Sequence, residues 1–124
     1  MINDFDKEHS KIFNKTKGDI GETLATKFLK EKGYNIIKNN YKNYIGEIDI
    51  IAKKDGVLCF VEVKRRLTLA YGRPIEAVDF RKQQKIKKTA EFYLMTKHQD
   101  YADVRFDVVE ILDDKCSLIV DAFR

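Results

Sequence analysis

The chain has few of the residues that build metal clusters, disulfide frameworks or membrane spans. It contains 2 cysteines, 2 histidines and 1 proline in 124 residues. Cys59 and Cys116 are too few and too irregularly placed for a disulfide framework or a zinc site. The histidines stand apart and indicate no catalytic pair. No run approaches the roughly 20 apolar residues of a membrane span, and the first residues lack the apolar stretch of a signal peptide. These absences predict a protein of the reducing cytoplasm.

The remaining composition is that of one globular domain with a small excess of positive charge. Hydrophobic residues make up 44% and charged residues 35% of the chain, which is typical of a folded rather than a disordered protein. The 24 lysines and arginines against 20 acids give a net charge of +4, so the placement of the charges matters more than their sum. We predict a flexible N-terminal arm at residues 1–15, which are polar and aperiodic, and one domain at residues 16–124.

Hydrophobic periodicity predicts the element order α-β-β-β-α-β-β. Gly33 is expected to end the first helix, Asn39-Asn40 to form a turn, and Asp79 to cap the second helix. Because that helix separates a hairpin from the last two strands, it permits a crossover, and we expect an α/β fold with a mixed sheet flanked by helices. The predicted helices lie near 17–32 and 80–97, and the predicted strands near 34–38, 45–53, 57–65, 104–111 and 117–123.

The most informative pattern is a pair of acids in a predicted hairpin. Asp55-Gly56 is a strong signal for a two-residue turn, because it lies between two β-branched apolar runs. With that turn, Asp49 lies opposite Glu62 and Glu47 lies opposite Lys64, at Cβ separations of about 4.5–5.5 Å. Opposed like charges destabilise a hairpin. A divalent cation between the two carboxylates would remove the conflict.

The acid pair has two interpretations. Acids are common on solvated strand faces, and an exposed hairpin tolerates them. In this chain, however, Asp49 lies within the apolar residues 48–51 and Glu62 within the apolar residues 60–63, which suits an interior strand covered on both faces. A carboxylate in such a strand needs a partner or a metal ion. We therefore favour a functional site, to which Lys64 contributes from the same strand face as Glu62.

The same residues carry a resemblance to a known family. An acid in the first helix and two strand motifs resemble the PD-(D/E)XK nuclease superfamily, namely Glu22, Gly46-Glu47-Ile48-Asp49 and Phe60-Val61-Glu62-Val63-Lys64. Ile48 stands where the superfamily name has proline. Further motifs are similar to the YraN-like family of uncharacterised bacterial proteins, which is related to archaeal Holliday-junction resolvases. These motifs are Gly18-x-x-Gly21-Glu22-x-x-Ala25, Gly33-Tyr34, Asn39-Asn40-Tyr41, Tyr71-Gly72-x-Pro74, Lys82, Arg105-Phe106-Asp107-Val108 and Asp121-Ala122-Phe123.

The resemblance implies a restriction-endonuclease-like fold and metal-dependent hydrolysis of DNA, with structured or branched DNA as the substrate. It implies Mg²⁺ (or Mn²⁺) held by Asp49, Glu62 and the carbonyl of Val63, in keeping with the preference of hard cations for oxygen ligands. Lys64 would orient the attacking water and offset charge in the transition state, or would be a surface lysine paired with Glu47. Glu22 is a candidate catalytic contact to the metal or to water, or else stabilises the start of its helix.

Basic and polar side chains follow Glu62 and fill the second helix. Such a cluster beside carboxylates suits a phosphodiester backbone, although a solvated helix face has the same composition. The predicted nucleic-acid contacts are Lys64, Arg65, Arg66, Arg73, Lys82, Gln83, Lys85 and Lys88. Four tyrosines offer rings for base stacking, with packing as their more common role, namely Tyr34, Tyr41, Tyr44 and Tyr71. We expect Arg105 and Asp107 to belong to a sheet edge or to a structural ion pair, and not to take part in catalysis.

The sequence thus predicts a divalent-metal-dependent endonuclease-like protein that acts on DNA. The alternative is a nucleic-acid-binding or DNA-processing accessory module that has the nuclease fold and little activity without a partner. The intact Asp49, Glu62 and Lys64 favour the enzyme, because a pure binding module has no need of the acid pair. A homodimer and a complex with a partner protein are both compatible with the sequence, and no membrane contact is expected.

Overall fold

Two helices pack on opposite faces of a mixed sheet in the computed structural model, which describes residues 20–68, 70, 72–97 and 103–124. The predicted arm at residues 1–15 lies outside this range. The elements in chain order are helix α1 (20–31), strands β1 (Asn35–Lys42), β2 (Glu47–Lys54) and β3 (Val57–Arg66), a 3-10 helix (Pro74–Ala77), helix α2 (Phe80–Lys97), and strands β4 (Asp103–Leu112) and β5 (Lys115–Phe123). The predicted order and α/β class are confirmed. Neither described helix combines the length and the apolar composition that crossing a bilayer requires.

The five strands lie side by side in the order of the sequence, with β3 at the centre. Only the β3–β4 pair is parallel, and the other three pairs are antiparallel. A parallel pair cannot be joined by a tight turn, and α2 provides the crossover between these two strands. The mixed sheet predicted from the helix between the hairpin and the last strands is therefore present.

Local signals set the ends of the helices as predicted. Gly33 follows α1 with φ +91°, a conformation that glycine adopts without strain, and the next residue, Tyr34, donates its N–H to the carbonyl of Leu29 at 2.9 Å. Asp79 caps α2, because its Oδ1 accepts the N–H of Lys82 at 2.9 Å. The inward face of α2 is buried at Ile86, Ala90 and Tyr93.

Strand β1 is longer than predicted, and the turn predicted at Asn39-Asn40 is wrong. Asn39 pairs with Ile50 of β2 inside the strand. Asn40 has φ 53°, a left-handed conformation that asparagine tolerates better than most residues, so it forms an irregularity within the ladder instead of ending it. The connection between β1 and β2 comes later, at residues 43–46.

The predicted register of the β2–β3 hairpin is confirmed from the Lys54–Val57 pair to the Ile50–Val61 pair. The turn residues Asp55-Gly56 have φ values of 51° and 79°, as a type I′ turn requires. The ladder ends at Ile50–Val61, so the two predicted pairs beyond it, Asp49 with Glu62 and Glu47 with Lys64, do not form as strand pairs. Glu47 instead lies opposite Lys42 of β1, and the two exposed side chains form an ion pair at 3.6 Å.

The core has two layers, one on each face of the sheet. Ala25 and Leu29 of α1 pack on one face, and Ile86 and Tyr93 of α2 pack on the other. The central strand is covered on both sides, so that residues 58–61 are all buried. Glu62 follows this run directly, which places its carboxylate at the edge of the core.

Candidate active site

Asp49 lies where strands β2 and β3 separate. Ile48 packs with the α2-side core while Ile50 packs with the α1-side core, although residues two apart on a regular strand share a face. Strand β2 is therefore irregular at Asp49. Asp49 Oδ2 accepts the backbone N–H of Val63 at 2.7 Å, just beyond the last residue pair of the β2–β3 ladder. The side chain thus takes the place of a backbone partner, and the carboxylate is fixed against β3.

Glu62 is the centre of the site. The residue is only 7% exposed, and its carboxyl group lies near enough to that of Asp49 for each to shift the pKa of the other. Glu62 Oε1 lies 3.5 Å from Lys64 Nζ and 3.3 Å from Lys82 Nζ. The hairpin therefore brings together the two acids and Lys64 as predicted, and α2 adds Lys82.

Burial is the largest influence on the pKa values of Asp49 and Glu62. Burial and the charge of Asp49 raise the pKa of Glu62 to about 7, although Lys82 and Lys64 act in the opposite direction. Burial likewise raises the pKa of Asp49, while the Val63 N–H and the two lysines lower it. The pair therefore binds protons more readily than exposed acids do, and a cation beside it would favour the ionised forms.

The two lysines differ in the direction of their pKa shifts. Burial and the adjacent Lys82 lower the pKa of Lys64, against the attraction of Glu62 and Asp49. Burial also acts to lower the pKa of Lys82, but its contacts with Lys64 and Glu62 outweigh burial and leave the pKa raised. Lys82 is thus the more firmly charged cation, and Lys64 is the amine that gives up a proton more easily.

These four side chains line an open cavity of about 570 Å³. Its walls are the end of β3, the first half of α2 and the loop between β1 and β2. The lining residues are Lys42, Asn43, Tyr44, Ile45, Gly46, Glu47, Asp49, Glu62, Val63, Lys64, Lys82, Lys85 and Ile86. Four lysines in the wall make the cavity suitable for an extended anionic ligand.

The β1–β2 loop is held on α2 by one side chain. Asn43 Nδ2 donates to the Tyr41 hydroxyl at 3.0 Å and to the Thr89 carbonyl at 3.2 Å. Asn43 Oδ1 accepts the N–H groups of Ile45 at 2.9 Å and Gly46 at 3.3 Å. Gly46 approaches α2 so closely that a Cβ there would lie 2.9 Å from Thr89 Oγ1. The wall of the cavity is therefore part of the packed structure.

Glu22 does not line the cavity of the acid pair. It lines a second cavity, of about 790 Å³, together with Thr26 of α1 and Asn39 of β1. Among the described residues, no group of three or more His, Cys, Asp or Glu side chains is close enough to hold a metal ion. Glu22 accordingly does not complete a triad with Asp49 and Glu62, and its catalytic role stays a prediction. The paired carboxylates identify the smaller cavity as the candidate site.

The predicted nucleic-acid contacts fall into two groups. Lys64, Lys82 and Lys85 line the cavity of the acid pair, and Lys88 is exposed further along α2. Arg65 instead binds Asp114, in the β4–β5 turn, at 2.6 Å.

The other predicted contacts hold the segment between β3 and α2. Arg73 Nη2 donates to the buried carboxylate of Glu110 at 2.7 Å, and the other oxygen of Glu110 accepts the N–H of Ile75 at 3.0 Å. Gln83 Nε2 donates to the carbonyl of Val78 at 2.9 Å. Arg66 Nη1 donates to the carbonyl of the preceding residue at 3.1 Å. These contacts give Arg73 and Gln83 a structural role that the sequence did not reveal.

Arg105 and Asp107 form a structural ion pair, which is one of the two roles predicted for them. Asp107 is fully buried, and its Oδ1 accepts from Arg105 Nε at 2.8 Å. The same carboxylate accepts the Tyr34 hydroxyl at 3.0 Å and the backbone N–H of Asp121 at 2.9 Å. The network ties the start of β1 to β4 and β5, and neither residue lines the cavity of the acid pair.

Sequence reasoning missed Lys42 and Asn43 as parts of the site, because the turn was placed at Asn39-Asn40, whereas Tyr44 was among the predicted stacking rings and does line the cavity. A usable signal was the Asn-x-x-Gly spacing of Asn43 and Gly46, since an asparagine side chain often binds backbone N–H groups of its own turn. The four tyrosines proposed for base stacking differ in exposure. Tyr34 and Tyr41 are buried, Tyr44 is exposed, and Tyr71 lies outside the described residues.

Comparison with known proteins gives a consistent family match. The model described as "Uncharacterised protein family UPF0102" matches residues 21–111. A UPF0102 protein of Dictyoglomus thermophilum is 45% identical over 108 residues, covering 87% of this chain and 92% of the relative. A UPF0102 protein of Clostridioides difficile is 43% identical over 112 residues, covering 89% of this chain and 98% of the relative. One of Caldicellulosiruptor bescii is 48% identical over 116 residues, covering 88% of this chain and 98% of the relative. The matched range contains the whole acid site.

Proposed function

This chain belongs to the UPF0102 family, and we propose that it is a divalent-metal-dependent nuclease that hydrolyses phosphodiester bonds of DNA at the Asp49–Glu62 site. The observation that carries the proposal is the buried Glu62 carboxylate, which lies beside a second carboxylate and two lysines in an open, lysine-lined cavity. The resemblance of residues 60–64 to the PD-(D/E)XK superfamily supports the same assignment.

The donor set fits a hard divalent cation such as Mg²⁺ or Mn²⁺, which takes oxygen ligands and keeps several waters. Asp49 and Glu62 would supply carboxylate oxygens, and the backbone of Val63 lies beside them because its N–H binds Asp49 at 2.7 Å. Two neighbouring carboxyl groups favour either a proton or a cation, as the raised pKa of Glu62, about 7, indicates. When bound, the ion would polarise the phosphate and the attacking water.

The two lysines have separate roles in the proposed reaction. Lys64 Nζ lies 3.5 Å from Glu62, so a phosphate that approaches this acid meets the ammonium group, which offsets charge developing on the phosphate oxygens. Its lowered pKa also makes the neutral amine, the form that can accept a proton, more populated than in an ordinary lysine. Lys82 keeps its charge and balances the acid pair from α2.

The substrate follows from the charges around the acids. Lys42 and Lys85 extend the positive lining beyond Lys64 and Lys82, as a path for a phosphodiester backbone requires. The preference for structured or branched DNA rests on the resemblance to Holliday-junction resolvases. We also propose that the protein acts in the cytoplasm, either as a homodimer or with a partner protein.

Metal binding and cleavage provide the direct test. Isothermal calorimetry with Mn²⁺ should detect a site that Asp49→Ala and Glu62→Ala each abolish. Linear, flapped, single-stranded and four-way DNAs should be cleaved with Mg²⁺ or Mn²⁺ but not with chelator. Glu47→Ala is the matched control, because this exposed acid lines the same cavity and pairs with Lys42, and it should keep metal binding. Metal binding that survives in both alanine variants would refute the site.

One observation favours a second candidate function. Two ammonium groups contact Glu62, so the lysines can themselves balance the negative charge of this acid. A nucleic-acid-binding or DNA-processing accessory module with the nuclease fold would keep this arrangement. Retained DNA affinity with no cleavage on any DNA and no Mn²⁺ binding would favour that function.

A further inference from the structure

Tyr44 is the most exposed large hydrophobic side chain among those described, at 84% of its surface. It stands in the β1–β2 loop and lines the same cavity as Asp49 and Glu62. Burial of an aromatic ring stabilises a fold, but Tyr44 contributes little of that stabilisation. Its exposure therefore calls for a role outside the core.

The Tyr44 ring is held in place although it is exposed. Its loop is fixed to α2 through the hydrogen bonds of Asn43 on one side and the close approach of Gly46 to Thr89 on the other. The ring also contacts Phe92 of α2 edge to face, with centroids 5.1 Å apart and an angle of 86° between the planes. A rigid, solvent-facing ring presents a ready surface for stacking.

Basic side chains lie along one face of α2, between the acid site and the Tyr44 ring. Arg81, Lys85, Lys88 and Phe92 are spaced at i, i+4, i+7 and i+11, which places them on one face of the helix. Lys85 lines the cavity of the acid pair, and Phe92 contacts Tyr44. A phosphate chain that follows this face passes the acids and then Tyr44.

We infer that Tyr44 stacks on an unpaired nucleobase next to the phosphate held at the acid site. The inference rests on the proposed function and narrows its substrate class to nucleic acid with a single-stranded segment at the cleaved position. Grooves that bind single strands combine a cationic track with aromatic rings, and each stacked base contributes to affinity whatever its identity. A ring that lines a cavity together with four lysines fits a polyanion better than an apolar protein surface.

A single substitution makes the contact observable. The chain has no tryptophan, so Tyr44→Trp introduces the sole indole, and stacking on a base should quench its fluorescence. The probes are oligothymidylate, an abasic oligonucleotide of the same length, and a blunt hairpin duplex. Each probe is titrated into Tyr44→Trp in a buffer that contains EDTA and again in one that contains Mg²⁺. Oligothymidylate should quench strongly, and the abasic strand and the duplex should quench little.

Affinity measured by anisotropy separates the base from the phosphates. Tyr44→Ala should weaken oligothymidylate binding by about 5- to 100-fold and Tyr44→Phe by little, because stacking needs the ring and not the hydroxyl. Neither variant should change affinity for the abasic strand, whereas Lys85→Gln should weaken the binding of both strands alike.

The outcomes distinguish this inference from the proposed function. The stacking inference is wrong if oligothymidylate binds Tyr44→Trp without changing its fluorescence and binds Tyr44→Ala as tightly as the wild type. DNA binding itself would still stand in that case. If no nucleic acid binds under either condition, the proposed function itself fails. Self-association of the wild type that Tyr44→Ala abolishes, without quenching by oligothymidylate, would assign the ring to a contact between copies and overturn the inference.

Discussion

The carboxylate of Asp49 accepts the backbone N–H of Val63 at 2.7 Å, so that a side chain of β2 continues the ladder with β3 after the backbones have separated. The same carboxylate is a proposed metal ligand. Asp49 therefore has a structural role that is present without metal, and variants at this position must separate the two roles.

Removing the Asp49 side chain should destabilise the protein more than removing its charge. Asp49→Asn keeps an oxygen for the Val63 N–H, whereas Asp49→Ala leaves that group without this partner, at a cost of about 1–3 kcal/mol. Both variants remove the charge of Asp49 beside Glu62, so their difference isolates the hydrogen bond. Urea unfolding at neutral pH with EDTA measures it, and equal stability of the two variants would contradict the bond.

The metal-free protein should lose stability as the pH rises from about 4.5 to about 7. The pKa of Glu62 is raised from 4.5 to about 7, so the folded state retains a proton that the unfolded chain has released. The stabilising contribution of such a group is complete below the unfolded pKa and is lost as the pH passes the folded pKa.

Glu62→Gln mimics the protonated acid and should remove this pH dependence. It should match the wild type near pH 4.5 and exceed it near pH 8 by on the order of 2–3 kcal/mol, measured by urea unfolding with EDTA. Glu47→Gln serves as the control, since that acid is exposed and paired with Lys42. Parallel pH curves for Glu62→Gln and the wild type would show that the acid is not protonated in the folded state.

Lys64 should be needed for cleavage but not for metal affinity. Lys64→Ala removes a cation from the charge that develops on the phosphate, which should lower the cleavage rate by about 100-fold or more. Mn²⁺ affinity should not fall, because the amine is not an oxygen ligand. Lys87→Ala, which removes a lysine from another flank of α2, controls for loss of charge alone. A Lys64→Ala protein with wild-type cleavage would remove Lys64 from the mechanism.

The α2 face that carries Arg81, Lys85 and Lys88 should set the salt dependence of DNA binding. Changing all three to Gln should flatten the slope of log affinity against log salt by about 2 to 3, because each lost phosphate contact contributes about 0.7–0.9. Lys87→Gln is the matched control, since residue 87 projects from the other flank of the helix. An unchanged slope in the triple variant would mean that this face does not contact phosphate.

Asp107 should matter for stability and not for the acid site. Asp107→Asn removes the charge that pairs with Arg105 in a fully buried position, and breaking such a pair costs on the order of 3–5 kcal/mol. Asp121→Asn, which removes an exposed pair with Arg124, should change stability by less than about 1 kcal/mol. Chemical unfolding ranks the two variants, and Mn²⁺ titration of folded Asp107→Asn should give wild-type affinity.

The parts of the fold that sequence could predict are those set by short-range signals. Asp55-Gly56 determines a two-residue turn, and a turn of fixed length determines which residues of the two strands pair. Gly33 and Asp79 act on the helix ends next to them. The turn also brings the segments that carry Asp49 and Glu62 close together, although the ladder ends one pair before them.

The remaining errors come from irregular backbone and long-range geometry. A left-handed asparagine has the same local signature inside a strand as in a turn, so Asn40 did not reveal that β1 continues. The end of the β2–β3 ladder depends on the irregular Asp49, which strict alternation does not predict. The contact of Lys82 with Glu62 depends on where the crossover places α2 against the sheet, which no local pattern encodes.

Asn43 has a consequence for binding thermodynamics. Its side chain makes four hydrogen bonds that fix the loop at residues 43–46 before any ligand arrives. Ordering a mobile loop on binding costs about 0.5–1.5 kcal/mol for each immobilised side chain. Because this loop is ordered during folding, that loss of conformational entropy does not reduce the affinity for a ligand of the cavity.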